Sequence, residues 1–220
     1  GVTFQFGVLA SAVEESGGRP EIVFSDGRKQ TFDRVIVCGG SDFQTLYPEI
    51  LAGSGLVACK LQMLAIDGSA ADYRLGTHLA SGLTLRHYRI FEICQSLAKL
   101  RQRIAEETPE LDEYGIHVMA SQNNHGDLIL GDSHEYGNQI EPFDDVRIDE
   151  WILRELRTLL RLPSWQLSRR WHGIYAKHPE LPVFQHEVRR GVHIFAGTGG
   201  SGMTMSFGLA EDFWNGIDNG

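Results

Sequence analysis

The sequence predicts a protein of mixed α/β plus α+β class, with one domain made from both ends of the chain. Residues 35–38 form a continuous apolar run that ends in two glycines, as strands buried on both faces of a parallel sheet do. Residues 192–196 form a second apolar run before glycines. Residues 56–165 instead contain stretches of alternating apolar and polar residues as well as helical patterns. These patterns favour an antiparallel sheet with helices. A middle domain inserted into a split domain and a single α+β domain both fit these patterns.

Shorter patterns predict further strands in the first half of the chain. Alternation of apolar and polar residues predicts half-buried strands at residues 2–6 (VTFQF), 20–27 (PEIVFSDG) and 83–91 (LTLRHYRIF). The largely apolar residues 56–66 (LVACKLQMLAI) predict a longer strand. Residues 48–55 (PEILAGSG) carry turn formers and predict a connector.

Two helices are predicted in the middle of the chain. The first begins near Ser96, because Leu97, Leu100 and Ile104 share one face, and it ends at Pro109. A stronger pattern fills residues 144–163, where an acidic residue caps the start and a proline ends the helix. Its cap is Asp144 or Asp145, and its apolar stripe comprises Ile148, Ile152, Leu156 and Leu159.

A hairpin and a strand–turn–helix unit complete the secondary-structure prediction. Residues 116–136 place strand patterns on both sides of a polar turn at residues 123–126, which predicts a β-hairpin. Residues 165–177 and 192–200 predict strands, and residues 203–214 predict a terminal helix.

The composition excludes several functional classes. The formal net charge is −9 and no basic run exceeds a pair, which argues against nucleic acid as a partner. No apolar stretch approaches the ~20 residues that a membrane span needs. The three cysteines lack C-x-x-C spacing, which predicts reduced, buried thiols in a cytoplasmic protein. The nine histidines show no ligand spacing, so no metal site is predicted.

The octet GTGGSGMT, residues 197–204, matches two nucleotide-binding motifs in part. Its glycines satisfy G-x-G-x-x-G, but the chain has no following strand with an acidic residue, as a dinucleotide site requires. The octet also approaches the phosphate-loop motif, except that Met203 replaces the lysine that contacts phosphate. Neither motif is therefore complete.

The local physics of the octet still favours a ligand. A strand enters a flexible glycine turn and then a helix, whose first amides point outward at the positive end of the helix dipole. Glycines also let a flat ligand approach the backbone closely. We expect an anionic or electron-rich group here, with a glycine-rich turn that binds nothing as the alternative.

Four segments together resemble one known family. Residues 191–213 (GVHIFAGTGGSGMTMSFGLAEDF) resemble the carboxy-terminal segment of the D-amino-acid-oxidase-like flavoenzymes, which include sarcosine and glycine oxidases. Residues 26–46, 58–64 (ACKLQML) and 170–184 (RWHGIYAKHPELPVF) resemble further segments of that family in the same order. The resemblance covers nearly the whole chain. The sequence most closely resembles a branch of FAD-dependent oxidoreductases associated with phosphonate breakdown.

The resemblance implies a domain organisation. Residues 1–55 and 171–220 would form a split FAD-binding domain, and residues 56–170 an inserted antiparallel-sheet substrate domain. Family members begin with a G-x-G-x-x-G strand that holds the ADP part of FAD, and this sequence does not contain it in that place. We therefore expect about a third of the protein to precede Gly1, as a missing N-terminal partner segment, and we expect these residues alone to bind FAD weakly.

The resemblance also implies a chemistry and a set of site residues. The family oxidises a C–N bond of a small amine or amino-acid-like substrate by hydride transfer to flavin, which oxygen reoxidises. The implied catalytic residues are Lys60, Tyr175 and Lys177, and the implied substrate-binding residues are Arg86 and His87. The implied cofactor-binding residues are Ala10, Cys38, Gly39, Gly40, Gly173, Thr198, Gly199, Gly200, Ser201, Gly202, Met203 and Thr204.

Two departures from the family pattern refine these expectations. Gly173 stands where sarcosine oxidases carry the cysteine that attaches flavin, so non-covalent FAD is expected. Tyr175 stands near the arginine that clamps the substrate carboxylate in glycine oxidases. Structural alternatives remain open: Lys60 and Arg86 could be solvated strand residues, and His87 and Tyr175 hydrogen-bonded core residues. A non-catalytic ligand-binding or interaction domain of flavoprotein-like architecture is the alternative function.

Overall fold

A computed structural model describes residues 1–68 and 73–218 and divides the chain into two compact units. The first, here called the terminal unit, comprises Gly1–Ala58 and Tyr175–Gly220. The second, the central unit, comprises Cys59–Ile174. The mixed α/β class with several sheets is as predicted. The assignment of FAD-binding and substrate domains to residues 1–55, 56–170 and 171–220 stays a prediction.

In the described residues the strands are β1 (Ala10–Ser16), β2 (Arg19–Phe24), β3 (Lys29–Thr31), β4 (Val35–Val37), β5 (Val57–Ile66), β6 (Leu79–Ala80), β7 (Met119–Gln122), β8 (Leu128–Gly131), β9 (Glu135–Gly137), β10 (Leu167–Lys177), β11 (Phe184–Arg189) and β12 (Val192–Ala196). The α-helices there are α1 (Pro48–Ala52), α2 (Gln95–Glu107), α3 (Glu110–Glu113), α4 (Val146–Leu159) and α5 (Gly202–Asp218).

The terminal unit contains two three-stranded sheets. One has the order β1-β2-β3 and is antiparallel, while the other has the order β11-β12-β4. In the second sheet β12 pairs with β4 in parallel, with Ile194 opposite Val37. Val35, Val37, Val192 and Ile194 are buried in one core cluster. The continuous apolar runs therefore form parallel, buried strands, as predicted.

The central unit is built on a larger antiparallel sheet. Its strand order is β10-β5-β8-β7-β6, and β9 also pairs with β5. The predicted hairpin is confirmed, since β7 pairs with β8 and the Gly126 amide donates to the Asn123 carbonyl at 3.0 Å. Helices α2 and α4 contribute the buried side chains Ile104, Ile148 and Ile152 to the same core.

Helix α4 agrees with its sequence pattern except at its end. The Asp145 side chain caps the helix by accepting a hydrogen bond from the Arg147 amide at 2.8 Å. Ile148, Ile152 and Leu156 are buried as predicted, whereas Leu159 is 48% exposed and the prediction for it is wrong. The backbone becomes extended at Leu160, and that residue enters the core in its place.

Helix α2 agrees with the prediction at both ends. It spans Gln95–Glu107, with Leu97 and Ile104 buried and Leu100 packed against the core. The helix ends before Pro109, since a proline disfavours helical backbone in the residue before it.

Three local predictions are wrong. Residues 2–6 form no strand in the described part of the chain, and Phe4 and Phe6 are 71% and 86% exposed. Residues 83–91 lie in two 3₁₀ segments, Gly82–His87 and Arg89–Ile93. There the Ser81 hydroxyl accepts from the Leu83 amide at 3.2 Å, so local hydrogen bonds replace strand pairing. The predicted connector at residues 48–55 contains the short helix α1.

The helices and the cysteines can be compared with the expectations from composition. None of the helices in residues 1–68 and 73–218 is long and apolar enough to cross a bilayer. All three cysteines are free thiols, and Cys59 is buried as predicted, but Cys38 and Cys94 are exposed. Cys38 lies in the loop after β4 and Cys94 lies between a 3₁₀ segment and α2, so neither side chain belongs to an element that faces a core.

Candidate active site

The parallel pairing of β4 with β12 brings two glycine segments to one edge of the sheet. Cys38, Gly39 and Gly40 follow β4, and Gly197 follows β12. Because carboxyl ends of parallel strands meet at the same edge, both segments lie there. Gly39 and Gly40 are exposed, and Gly40 has a φ of 61°. The edge therefore presents bare backbone, which a flat ligand can approach closely.

The glycine turn after β12 has a backbone that requires glycine. Gly197 and Gly199 have φ values of 78° and 57°. A Cβ atom on Gly197 would lie 2.3 Å from Leu56 Cδ2, and one on Gly202 would lie 2.6 Å from Thr198 Oγ1. The turn continues as a 3₁₀ segment, Gly199–Ser201, directly into α5. Gly197 is thus needed for both conformation and packing, Gly199 for conformation and Gly202 for packing.

We expect Gly197→Ala to lower the free energy of unfolding by about 2 kcal/mol, because a side chain there combines a left-handed φ with overpacking. The matched control is Gly200→Ala, where φ is not left-handed and no heavy atom lies within 4 Å of the added Cβ. We expect the control to stay within about 0.5 kcal/mol of the wild type. Urea unfolding followed by circular dichroism measures both. Equal midpoints for the two variants would contradict the packing argument.

Helix α5 begins at the same edge with an open, positive end. Its first turn carries no acidic side chain that would offset the helix dipole. Met203 is 95% exposed and Phe207 is 88% exposed, while Thr204 is also exposed. Backbone amides and exposed apolar side chains together suit an electron-rich ring system.

Of the predicted catalytic residues, Lys177 lies beside this turn and Tyr175 lies on the same strand. Lys177, at the end of β10, forms an isolated antiparallel bridge with Thr198. A Cβ on Gly199 would lie 3.5 Å from Lys177 Cγ, so the lysine stem passes along the turn. Tyr175 lies two residues earlier on the same strand and therefore on the same face. Both belong to the terminal unit.

Two further predicted cofactor residues lie on other strands than β4 and β12. Ala10 begins β1, which belongs to the other sheet of the terminal unit, and it is half-buried. Gly173 lies within β10 in the central unit, where Leu61 Cδ1 is 3.9 Å from the position of a Cβ. Their roles in cofactor binding stay predictions.

Lys60 is buried in the central unit, so it is not a solvated strand residue. It lies on β5 with 2% of its side chain exposed, and Nζ lies 3.0 Å from Asp144 Oδ1. Nζ also donates to the carbonyl oxygens of Glu141, at 3.2 Å, and Phe143. These contacts support a structural role, and the catalytic role of Lys60 stays a prediction.

Arg86 is also held by contacts within the central unit. Its guanidinium contacts the Asp112 carboxylate and donates to the carbonyl oxygens of Leu83 and Ile116 at 3.3 and 3.0 Å. Burial lowers the pKa of Arg86, with a smaller contribution from the positive charge of Arg101. Arg86 and His87 line a cavity of about 460 Å³. Neither residue lies in a strand, and their role in substrate binding stays a prediction.

His87 belongs to a group of three histidines that the sequence analysis missed. Its ring centroid lies 4.1 Å from that of His117 and 5.2 Å from that of His134. Burial, reinforced by His87, His134 and Arg86, lowers the pKa of His117 to about 2. Burial raises the pKa of the adjacent Asp132 to about 7. The predicted hairpin could have indicated part of this group, because residues equally far from the turn of a hairpin meet across its strands.

A comparison against protein families identifies the family of the chain. The family model described as DAO, FAD dependent oxidoreductase, matches residues 1–213 of the chain. The chain belongs to the FAD-dependent oxidoreductase family. FAD is the cofactor that the description of this family names. No curated protein matches the chain by sequence.

Solved structures share the fold of this family member. Glycine oxidase from Geobacillus kaustophilus is 13% identical with a TM-score of 0.57, and the match covers 90% of this chain and 45% of that one. Glycine oxidase from Bacillus cereus ATCC 14579 is 14% identical, with a TM-score of 0.60 and coverage of 90% and 46%. L-Proline dehydrogenase from P. horikoshii is 15% identical, with a TM-score of 0.59 and coverage of 90% and 46%. The chain thus spans less than half the length of these structures.

The residues at the sheet edge fit a flavin. Exposed glycine backbone gives access to a flat ring, the start of α5 supplies amides, and Lys177 supplies positive charge beside them. These are the donors that negative charge at the N1/C2=O edge of a flavin requires.

Proposed function

We propose that this family member oxidises the C–N bond of a small amine or amino-acid-like substrate and that oxygen reoxidises the cofactor. The observation that carries the proposal is the glycine turn and helix start beside Lys177 at the carboxyl edge of β4 and β12. The family match and the fold shared with glycine oxidases and L-proline dehydrogenase support it. An aminophosphonate is the finer proposal for the substrate, from the resemblance of the sequence.

Each part of this edge has a role in the proposal. FAD held by the glycine segments and the start of α5 would supply oxidation of the substrate by hydride transfer, with oxygen as the final electron acceptor. The amides of Gly202, Met203 and Thr204 stabilise negative charge where it develops. Lys177 adds a positive charge beside the same turn, and the Tyr175 hydroxyl offers a hydrogen bond to the substrate. These interactions act on the transition state and therefore raise kcat.

We also propose the arrangement of the whole protein. Residues 1–55 and 171–220 belong to the FAD-binding domain, residues 56–170 form the substrate domain, and a preceding segment completes the FAD site. The coverage of less than half of the solved relatives supports this proposal. The coding sequence upstream of Gly1 tests it, because an in-frame G-x-G-x-x-G strand is expected there. Absorbance of released flavin after acid precipitation tests the proposed non-covalent attachment.

Peroxide formation by the full-length protein tests the reaction. Glycine, sarcosine, L-proline and an aminophosphonate form the panel, and glycolate is the matched control because it lacks the nitrogen. We expect peroxide with at least one amine and none with glycolate. A protein that binds FAD but consumes oxygen with no member of the panel would favour the non-catalytic alternative.

A further inference from the structure

Three histidines, here called the histidine cluster, meet in the central unit. They are His87, His117 and His134, and one ring nitrogen from each lies within 4.8 Å of those of the others. The ring centroids are 4.1, 4.7 and 5.2 Å apart, so the rings form a triangle rather than a row. A triangle of imidazoles presents several nitrogen ligands to one point.

Backbone hydrogen bonds tie the residues around the cluster to one another just beyond the ends of the strands. The His117 and Asp132 backbones exchange two hydrogen bonds, at 3.2 and 3.0 Å, across the extension of the β7–β8 hairpin. The His134 amide donates to the Tyr114 carbonyl at 2.8 Å on the same extension. His87 ends the 3₁₀ segment that begins after Ser81, whose amide donates to the Val118 carbonyl at 2.9 Å.

A carboxylate next to the cluster has an oxygen without a donor. Asp132 is 8% exposed, and its Oδ1 atom is buried without a hydrogen bond in the described residues. His117 Nε2 lies 3.3 Å from this oxygen, outside hydrogen-bond geometry, and His134 Nδ1 lies 4.0 Å from it. Buried carboxylate oxygens are normally satisfied by a donor or a cation. Oδ1 therefore has room for a donor or a cation at this point.

We propose that His87, His117, His134 and Asp132 bind a divalent transition-metal ion of the Zn²⁺ class. Imidazole nitrogens and a carboxylate oxygen are the ligands that such ions prefer, and four of them suit a tetrahedral site. Ligand atoms about 2.1 Å from a tetrahedral ion lie about 3.4 Å apart. The nitrogens within 4.8 Å of one another reach that spacing through small side-chain rotations.

Neighbouring polar groups orient two of the ligands. His134 Nδ1 lies 3.2 Å from the Gly115 carbonyl oxygen, and a proton on Nδ1 leaves the lone pair on Nε2. His117 Nδ1 lies 3.4 Å from Thr84 Oγ1, which leaves its Nε2 atom toward Asp132. Metal-binding histidines characteristically direct their second nitrogen at such a partner.

The cavity next to the cluster provides an entry path. His87 and Gly115 line this space of about 460 Å³, together with Arg86 and Asp112. Arg101 also lines this space, and the Asp112 carboxylate offsets the positive charge of Arg86. Because His87 lines the cavity, a divalent cation in the cavity can reach the cluster at this histidine.

Titration of the protein with Co²⁺, followed by displacement with Zn²⁺, tests the proposal. We expect one Co²⁺ per chain, with the visible absorption of a tetrahedral ion, and loss of that absorption when Zn²⁺ is added. His87→Ala is expected to weaken Co²⁺ binding at least about 10-fold, as even loss of an outer partner does. The matched control is His125→Ala, since His125 is exposed in the β7–β8 turn and is expected to keep wild-type affinity.

The outcome does not depend on flavin or on enzyme activity. Asp132→Asn removes one proposed ligand with little change of shape, and circular dichroism shows whether each variant is folded. If His87→Ala does not fold, Asp132→Asn decides. The proposal is overturned if the wild type shows no saturable uptake of Co²⁺. It is equally overturned if the folded ligand variants bind as tightly as His125→Ala.

Discussion

Replacing Lys60 with methionine is expected to lower the free energy of unfolding by about 3 kcal/mol, because it leaves a partly buried carboxylate and two carbonyl oxygens without their donor. The Lys60 side chain is 2% exposed and contacts Asp144, Glu141 and Phe143. The expected loss of unfolding free energy lies at the lower end of the range for broken buried ion pairs. The reason is that the Asp144 side chain is 29% exposed and also contacts His172 Nδ1 at 2.8 Å. Urea unfolding followed by circular dichroism measures the loss.

The matched control is Lys29→Met, which makes the same substitution in an exposed ion pair. Lys29 Nζ lies 2.6 Å from Glu14 Oε2, and both side chains are about half exposed. Exposed pairs add little to stability, so the control is expected to unfold near the wild-type midpoint. Equal midpoints for both variants would contradict the structural role of Lys60.

The activity of the Lys60→Met variant tests the predicted catalytic role of Lys60. A structural role predicts that folded Lys60→Met enzyme keeps its kcat below the unfolding transition. A catalytic role predicts a stable protein whose kcat is lost, and Lys60→Arg would not restore it. The neighbouring Gln62 donates to Asp149 Oδ1 at 3.0 Å and to the Asp145 carbonyl, which makes the segment before α4 a continuous polar network with β5.

Local patterns in the sequence predicted the elements that depend on local physics. The continuous apolar residues 35–37 formed a buried parallel strand, and Asp145 with Ile148 and Ile152 specified the start and the buried face of α4. Patterns failed where a partner decides the outcome. Residues 2–6 alternate but meet no strand in the described chain, and the Ser81 cap favoured a 3₁₀ segment over a strand.

The candidate sites divide in the same way. The strand, glycine turn and helix at residues 192–214 are contiguous, so their arrangement could be predicted from the sequence. The burial of Lys60 depends on Glu141, Phe143 and Asp144, more than 80 residues away. The histidine cluster similarly depends on the pairing of the β7–β8 hairpin and on a separate 3₁₀ segment. Ligand spacing along the chain carries no signal for such contacts.

Replacing Lys177 with methionine is expected to lower kcat/KM for the amine substrate about 100-fold, as the loss of one donor to developing negative charge does. The physical reason is its position: Lys177 bridges to Thr198, and its stem lies against Gly199 at the start of the turn that leads into α5. Methionine keeps a stem of similar length and removes the charge, so the turn should remain packed. Peroxide formation by the full-length enzyme measures the loss.

Two further variants separate charge from packing at this position. Lys177→Arg keeps the positive charge and is expected to retain most of the activity that methionine loses. Lys99→Met removes an exposed lysine on α2 and is expected to leave kcat/KM unchanged. Flavin binding measured alongside distinguishes lost cofactor from lost chemistry, since a charge acting on the transition state lowers kcat more than it weakens FAD binding. If methionine and arginine are equally poor, or if both equal the wild type, the positive charge of Lys177 is not part of the catalytic site.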